Sequence, residues 1–228
     1  IVDITHEVPP QDVATGAFVL KAAYRWFPPG TIFLAVVDPG VGTERAPLIV
    51  KTRRYFFVGP DNGLLMPAAE EDGVEEVYRI TARLPEVSKT FHGRDVFAPV
   101  AAYLSLGIEP RLLGVSVSTW RRLELPGARL EGETLHSRVV YVDRFGNVYT
   151  GVREEVNRLA SVGDFLCVET PSGVVRARYV ETYGRASPGE AVLLINSEGY
   201  LELAMVMGNA AATYGLRPGD ELRIRKCT

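Results

Sequence analysis

The residue best suited to proton transfer near neutral pH is His92, one of three histidines in the chain. It stands in the segment Thr90-Phe-His-Gly-Arg-Asp95, directly before a predicted helix. An imidazole beside a glycine at a helix start can serve as a general acid or base. The segment is also typical of a surface turn in which Arg94 and Asp95 pair while His92 makes a structural hydrogen bond. Taken alone, it leaves both interpretations open.

A second candidate group lies in the loop Asp38-Pro-Gly-Val-Gly-Thr-Glu-Arg45, which follows an apolar run at 31–37. Ligands of open α/β sheets bind beyond the carboxyl ends of strands, so this loop is well placed for a site. It brings the Asp38 carboxylate and the Arg45 guanidinium close in sequence. Its Gly-x-Gly lacks the third glycine and the Lys-Ser/Thr of phosphate-binding loops. Alternatively, Asp38 only accepts backbone hydrogen bonds within a tight turn.

Other catalytic chemistries have weaker signals. A metal site could be imagined from four residues: His6, Asp38, His92 and Asp95. They lack the paired spacing of metal-binding motifs, so no metal is expected. Nucleophilic serine chemistry lacks a Gly-x-Ser-x-Gly turn. Cys167 lies within a predicted strand, where packing is its expected role.

The composition is that of a globular protein. Of 228 residues, 46% are hydrophobic and 23% are charged, which excludes a disordered chain or a coiled coil. The formal net charge of −3 provides no basic field for binding nucleic acid. No apolar run approaches the roughly 18 residues of a membrane span, and no signal peptide is visible. Cys167 and Cys227 form no metal-binding or disulfide framework, which favours a reducing, cytoplasmic compartment.

Helical and strand patterns alternate in the first half of the chain. The patterns predict helices over 11–27 and 95–106 and strands over 31–37, 48–50, 55–58 and 74–80. The run over 31–37 is almost continuously apolar, as in parallel sheets that are buried on both faces. These elements predict an α/β/α sandwich with a mostly parallel sheet, and this sheet would position both candidate loops.

Short predicted strands dominate the second half. They cover 137–142, 147–152, 165–169, 174–182, 191–195 and 221–225, with helices over 153–159 and 204–214. This spacing predicts a small antiparallel β-barrel. A segment rich in Gly, Pro and charged residues separates the halves. We therefore predict domains over 1–122 and 134–228, joined by a linker over 123–133.

Six motifs, taken in order, resemble the S-adenosylmethionine hydroxide adenosyltransferase family, which is related to the fluorinase and the chlorinase. The motifs are Ile1-Val-Asp-Ile-Thr-His-Glu-Val-Pro-Pro10, Val37-Asp-Pro-Gly-Val-Gly-Thr-Glu-Arg45, Val58-Gly-Pro-Asp-Asn-Gly-Leu-Leu65, Thr90-Phe-His-Gly-Arg-Asp95, Asp143-Arg-Phe-Gly-Asn147 and Asn196-Ser-Glu-Gly-Tyr-Leu-Glu-Leu203. Members of the family usually carry a further N-terminal strand with a ribose-contacting aspartate. The resemblance therefore leads us to expect either a segment before Ile1 or a ribose site without this aspartate.

The resemblance implies that water or hydroxide attacks C5′ of S-adenosyl-L-methionine and releases adenosine and L-methionine, without a cofactor. It assigns catalysis to Asp38, Arg45 and His92. The leaving thioether is neutral and needs no acid, whereas water, with a pKa of about 15.7, needs activation. A carboxylate or imidazole can accept its proton, and a guanidinium can favour hydroxide. Whether Asp38 or His92 is the base stays open.

The resemblance also implies a substrate-binding set in the second half: Asp143, Phe145, Asn147, Tyr183, Ser197, Glu198 and Met207. Asp143 and Ser197 would bind the methionine amine and carboxylate. Glu198 would address the amine, because it would repel a carboxylate. Asn147 would bind the edge of the adenine. Phe145 and Tyr183 would pack against the rings, and the backbone near Met207 would face the purine. The family's sites lie at subunit interfaces, so a homotrimer is implied.

Departures from the halide-using relatives favour hydrolysis. His92-Gly93 stands where those enzymes carry Tyr-Ser, and the acidic Asp38 stands where they carry a non-acidic residue. Their extra loop is missing around Arg53-Arg54. Two alternatives remain open on the sequence alone: a halide-using adenosyltransferase, and a sensor that binds adenosine or S-adenosylmethionine without catalysis.

Overall fold

The computed structural model describes residues 1–85 and 87–227 and divides the chain into two compact units, Ile1–Glu124 and a second unit from Leu125 onwards. The first unit contains helices α1 (Val13–Ala23), α2 (Met66–Asp72), α3 (Ala98–Ser105) and α4 (Pro110–Leu113). Its strands are β1 (Ile32–Leu34), β2 (Pro47–Thr52), β3 (Phe56–Pro60), β4 (Val74–Ile80) and β5 (Gly114–Ser116). A π-helical turn, Gly93–Phe97, leads directly into α3.

The sheet of the first unit has the strand order β1-β3-β2-β4-β5. The expectation of a mostly parallel sheet is wrong: of the four pairings among the described strands, β1–β3 is parallel and the other three are antiparallel. The tight connection between β2 and β3 forces this direction, because parallel neighbours need a long crossover. Within the apolar run over 31–37, only Ile32–Leu34 form a strand. Leu34 is 46% exposed, so this strand is not buried on both faces.

Local signals explain the helices of this unit. The Asp12 carboxylate caps α1 by accepting hydrogen bonds from the Thr15 backbone N–H at 2.9 Å and from its hydroxyl at 2.6 Å. Prolines occupy the first turns of α2, α3 and α4, where no backbone donor is needed. The core that these elements cover includes Ile49 and Phe97.

The second unit is a β-barrel with one short α-helix, which lies between its last two strands along the chain. Its strands are β6 (Arg129–Glu131), β7 (Thr134–Val142), β8 (Val148–Thr150), β9 (Phe165–Thr170), β10 (Gly173–Tyr179), β11 (Ala191–Ile195), β12 (Leu201–Met205) and β13 (Glu221–Lys226). Helix α5 spans Ala210–Tyr214. The order β13-β9-β10-β11-β12-β8-β7 closes through a β13–β7 pairing, and β6 adds to β7. The predicted α/β domain followed by a small barrel is confirmed.

Details of the barrel differ from the prediction. The β10–β11 pairing is parallel within an otherwise antiparallel ladder. The helix predicted over 204–214 begins only at Ala210, because 201–205 pairs with β11 and Met207 has a left-handed φ of +56°. The helix predicted over 153–159 is a 3₁₀ turn, Glu154–Arg158.

The two cysteines are joined, contrary to the expectation of unpaired thiols. Cys167 of β9 and Cys227, which follows β13, form a disulfide with their Cα atoms 5.1 Å apart. Sequence spacing gave no hint of it, because the two residues are 60 positions apart and meet only through the β13–β9 pairing. The predicted cytoplasmic location, which drew on unpaired cysteines, stays a prediction.

Candidate active site

In the first unit, the loop over 38–45 and the segment over 88–95 meet at the Arg45 guanidinium. Arg45 Nε donates to Asp38 Oδ1 at 3.0 Å, and Arg45 Nη2 donates to Asp38 Oδ2. The same Nη2 lies 3.0 Å from His92 Nδ1. Both members of the ion pair are buried, with 4% of the Arg45 side chain and 7% of the Asp38 side chain exposed. The structure thus brings the three predicted catalytic residues together.

The contact with Arg45 assigns roles to the two imidazole nitrogens. A guanidinium can only donate hydrogen bonds, so His92 Nδ1 is the acceptor in this contact. An imidazole that accepts at Nδ1 carries a hydrogen on Nε2. In this arrangement Nε2–H can donate to an oxygen, whereas the Asp38 carboxylate retains lone pairs that can accept a proton.

The other end of the guanidinium carries a donor without a partner among the described residues. Arg45 Nη1 is buried and makes no hydrogen bond to the described residues. The guanidinium lies over the Phe97 ring, 5.2 Å from its centroid, which holds its plane. Buried N–H groups are nearly always satisfied, so this unpaired donor is an exception within an otherwise fully bonded guanidinium.

Three local features hold the loops in place. Asn62, in the turn after β3, donates from Nδ2 to the Val37 carbonyl at 2.8 Å, next to Asp38. Gly42 has a φ of +77°, and a Cβ there would lie 2.5 Å from the Lys89 carbonyl oxygen. Asp95 accepts from the Ser88 backbone N–H at 2.9 Å, which closes the segment around His92.

The pKa of Asp95 is shifted by its neighbours in this segment. Hydrogen bonds from Arg94, and then from the Ser88 backbone, lower the pKa of its carboxyl to about 2. The Arg94 guanidinium lies 4.7 Å from the Phe91 ring centroid. The surface-turn interpretation is therefore right about the Arg94–Asp95 pair. His92, by contrast, contacts Arg45.

In the second unit, the loop Asp143-Arg-Phe-Gly-Asn147 joins β7 to β8. Asp143 Oδ1 accepts from the backbone N–H groups of Phe145 at 2.8 Å and Asn147 at 2.9 Å, and Oδ2 accepts from Asn147 Nδ2 at 3.0 Å. Gly146, with a φ of +84°, packs directly on Asn209, the cap of α5. These contacts define the shape of the loop, which leaves Phe145 63% exposed.

The turn between β11 and β12 carries Ser197 and Glu198. Asn196 Oδ1 accepts from the backbone N–H groups of Glu198 at 3.1 Å and Tyr200 at 3.0 Å, which shapes this turn. Ser197 is exposed. Glu198 Oε2 is buried and makes no hydrogen bond to the described residues. An unpaired buried carboxylate oxygen is suited to accept from a cationic ammonium group.

Sequence reasoning missed Glu202, although it lies within one of the six motifs. Its carboxylate accepts from the Tyr183 hydroxyl and, at 3.2 Å, from Asn196 Nδ2. Burial raises the pKa of Glu202, and burial with the neighbouring carboxylates raises the pKa of Tyr183. The available signal was a single charged residue in an apolar strand, which a motif resemblance does not single out.

Met207 follows β12 and is almost fully exposed. Its positive φ is unusual for a residue with a side chain and is found at sites where the surrounding structure imposes it. The structure places it in the second unit together with the other predicted substrate-binding residues.

No helix among residues 1–85 and 87–227 is long and apolar enough to cross a membrane. Within the same ranges, no three His, Cys, Asp or Glu side chains are grouped as metal ligands would be. His6, considered for a metal site, lies exposed beside Asp3.

Comparison with known proteins identifies a family whose model matches this chain and several similar proteins. Residues 1–114 match the model of the SAM hydroxide adenosyltransferase N-terminal domain, and residues 137–223 match its C-terminal domain. An (R)-S-adenosyl-L-methionine hydrolase of Salinispora tropica is 41% identical over 98% of this chain and 85% of its own length. A fluorinase of Actinoplanes sp. is 27% identical over 99% of this chain and 87% of its own length. A crystal structure of an uncharacterized conserved protein from Thermotoga maritima superimposes with a TM-score of 0.92 at 37% identity, covering 99% of this chain and 89% of that one.

Proposed function

The chain belongs to the SAM hydroxide adenosyltransferase family, and from this premise we propose that it hydrolyses S-adenosyl-L-methionine to adenosine and L-methionine. The hydrolases among its relatives are 33–41% identical to it over 98% of its length. The fluorinases are more distant, at 26–28% identity. This difference favours water over halide as the nucleophile.

The observation that carries the proposal is the convergence of Asp38 and His92 on the buried guanidinium of Arg45, whose Nη2 contacts both. A water molecule between His92 and Asp38 would accept from His92 Nε2–H. It would donate to the Asp38 carboxylate. One donor and one acceptor orient the water, and the adjacent guanidinium charge favours its deprotonated form. We therefore assign the base to Asp38 and an orienting, donating role to His92.

The step balances without a cofactor. The water oxygen forms a bond to C5′ while the C5′–sulfur bond breaks, and the sulfonium sulfur keeps the electron pair as the neutral thioether of methionine. The water proton passes to Asp38. Because the leaving group is uncharged, catalysis acts on the nucleophile, and in-line placement behind C5′ supplies much of the remaining acceleration.

We propose that the second unit binds the substrate through the residues that the resemblance implies. Glu198, with its unpaired oxygen, and Ser197 support recognition of the methionine part. The exposed Phe145 ring offers a face to the purine or to the sulfonium, and cation–π attraction contributes about 0.5–2 kcal/mol. Asn147 and the Met207 backbone complete the adenine contacts in this proposal.

The direct test is incubation of the protein with S-adenosyl-L-methionine, followed by chromatography of the products. We expect adenosine and L-methionine in equal amounts and, in ¹⁸O-labelled water, one label in the adenosine 5′-hydroxyl. Saturable binding without turnover would instead support the sensor interpretation. Formation of a 5′-halo nucleoside on addition of chloride or fluoride would support the halide-using one.

Two finer features complete the proposal. We propose a homotrimer, on the strength of the family resemblance, and light scattering should then give three times the 25.0 kDa of one chain. A dimeric or monomeric mass would contradict it. We also propose a cytoplasmic location, which fractionation of the source cells tests.

A further inference from the structure

Strand β12 carries a carboxylate where its neighbours are apolar. Leu201, Leu203 and Ala204 are fully buried, and Glu202 between them is only 1% exposed. Among the described residues no Lys, Arg or His forms an ion pair with Glu202. Burial of a carboxylate without a cation is unfavourable, and an apolar residue would suit this strand better. The presence of Glu202 is therefore not explained by a contribution of its carboxylate to folding stability.

The contacts of Glu202 join two separate loops. One oxygen accepts from the Tyr183 hydroxyl, in the 3₁₀ turn between β10 and β11. The other accepts from Asn196 Nδ2, at the start of the turn between β11 and β12. Asn196 in turn orders the backbone of Glu198 through its Oδ1. One carboxylate thus fixes both a predicted adenine-packing ring and the turn that carries Ser197 and Glu198.

We propose that Glu202 is a positioning residue for substrate binding, which holds Tyr183 and the 196–200 turn in the orientation that the nucleoside and the amino acid require. The proposal rests on the proposed function for its substrate. Glu202 acts through Tyr183 and Asn196 and makes no direct contact with the reacting atoms. Its loss should therefore weaken binding more than it slows the chemical step.

The test compares Glu202→Ala, Glu202→Gln and Tyr183→Phe with a control of equal burial. Thr150→Val is that control: Thr150 is fully buried and donates to the Leu201 carbonyl at 2.8 Å, next to Glu202, but contacts neither loop. For each variant we would measure KM and kcat with S-adenosyl-L-methionine, and Kd for adenosine by calorimetry. The fraction of folded protein would be followed by circular dichroism.

Loss of a buried hydrogen-bond partner predicts that Glu202→Ala raises KM and the adenosine Kd about 5- to 100-fold, with kcat changed less than about three-fold. Glu202→Gln, which keeps one acceptor, should recover part of this loss. Tyr183→Phe in the Glu202→Ala background should add little, because the two residues act as a unit. Thr150→Val should lower stability and leave KM and Kd unchanged.

Other outcomes overturn the proposal. If folded Glu202→Ala binds adenosine and S-adenosyl-L-methionine as the unmodified protein does, Glu202 has no positioning role. The same follows if Thr150→Val raises KM equally, because the effect would then be one of barrel stability. If Glu202→Ala fails to fold, Glu202→Gln and Tyr183→Phe decide by the same measures. Absence of turnover in the unmodified protein would refute the proposed function alone, since adenosine Kd still reports on Glu202.

Discussion

At the scale of single residues, the contacts of Arg45 support different proposed roles for Asp38 and His92. The sequence left open which of the two is the base. The imidazole of His92 accepts from Arg45, and the Asp38 carboxylate is the group with spare acceptor capacity. A base and an orienting donor should respond differently to substitution. This difference can be measured without knowledge of the biological purpose of the reaction.

Asp38→Asn and His92→Ala should each lower kcat about 10²- to 10⁴-fold, the usual range for lost proton transfer. Adenosine binding should stay within about three-fold, because neither residue is assigned to nucleoside recognition. Steady-state kinetics and calorimetry provide both values. Asp72→Asn is the control, since Asp72 is also a buried carboxylate that pairs with an arginine, Arg54 at 2.7 Å, in the same unit. Near-normal rates in both active-site variants would show that the catalytic assignment is wrong.

Asp95 gives a pH prediction for the segment beside His92. Its pKa of about 2 in the folded protein lies below the ordinary value of about 3.9, so the fold favours the carboxylate. The stabilisation is present above about pH 4 and is lost as the pH falls towards 2. A carbon chemical-shift titration should show the low pKa, and Arg94→Gln should raise it. An unchanged value in Arg94→Gln would contradict the role given to this pair.

At the scale of elements, two loops approach so closely that a methyl group would separate them. Gly42→Ala would place Cβ 2.5 Å from the Lys89 carbonyl oxygen and would impose a left-handed φ on a residue with a side chain. Strain of this kind costs about 1–3 kcal/mol. We expect a lower melting temperature together with a reduced kcat, because His92 would move relative to Arg45.

Gly40→Ala is the matched control for this prediction. A Cβ at Gly40 would lie 3.5 Å from Thr43 Oγ1, an ordinary contact, and its φ is not in the left-handed region. Calorimetric melting and kinetics of both variants provide the comparison. Equal losses at the two positions would mean that general loop stiffness, and not the approach of the two loops, controls activity.

The elements also show how far sequence patterns extend. Periodicity and turn residues predicted α1, β4, α3 and most barrel strands, because local hydrophobic pattern decides those elements. Strand direction was wrong, because an apolar run reports burial and not the orientation of its neighbour. The motif resemblance assigned catalysis to Asp38, Arg45 and His92, which lie in two separate loops. It did not find Glu202, whose role depends on contacts between β12 and two distant loops that spacing does not encode.

At the scale of the whole molecule, each unit has its own core, and one covalent link lies in the second. The Cys167–Cys227 disulfide spans 60 positions. In the chain-entropy account, a link of that span stabilises by about 4 kcal/mol. We expect a reductant, or the double variant Cys167→Ala/Cys227→Ala, to lower the free energy of unfolding by about this amount. Urea unfolding would show this loss as a lower midpoint. Thiol titration of the unfolded, unreduced protein should find no free thiol, and two free thiols would refute the link.

The β13–β7 pairing that closes the barrel also has a consequence for biosynthesis. Thr134 of β7 pairs with Arg225 of β13. The first half of β7 therefore gains this neighbouring strand only after β13, the last strand, has been synthesised. The sheet of the first unit, in contrast, is complete once Ser116 has been synthesised. On the ribosome, the first unit should therefore resist protease while the second is still susceptible. The polypeptide would then acquire its nucleophile-activating half well before its substrate-recognising half.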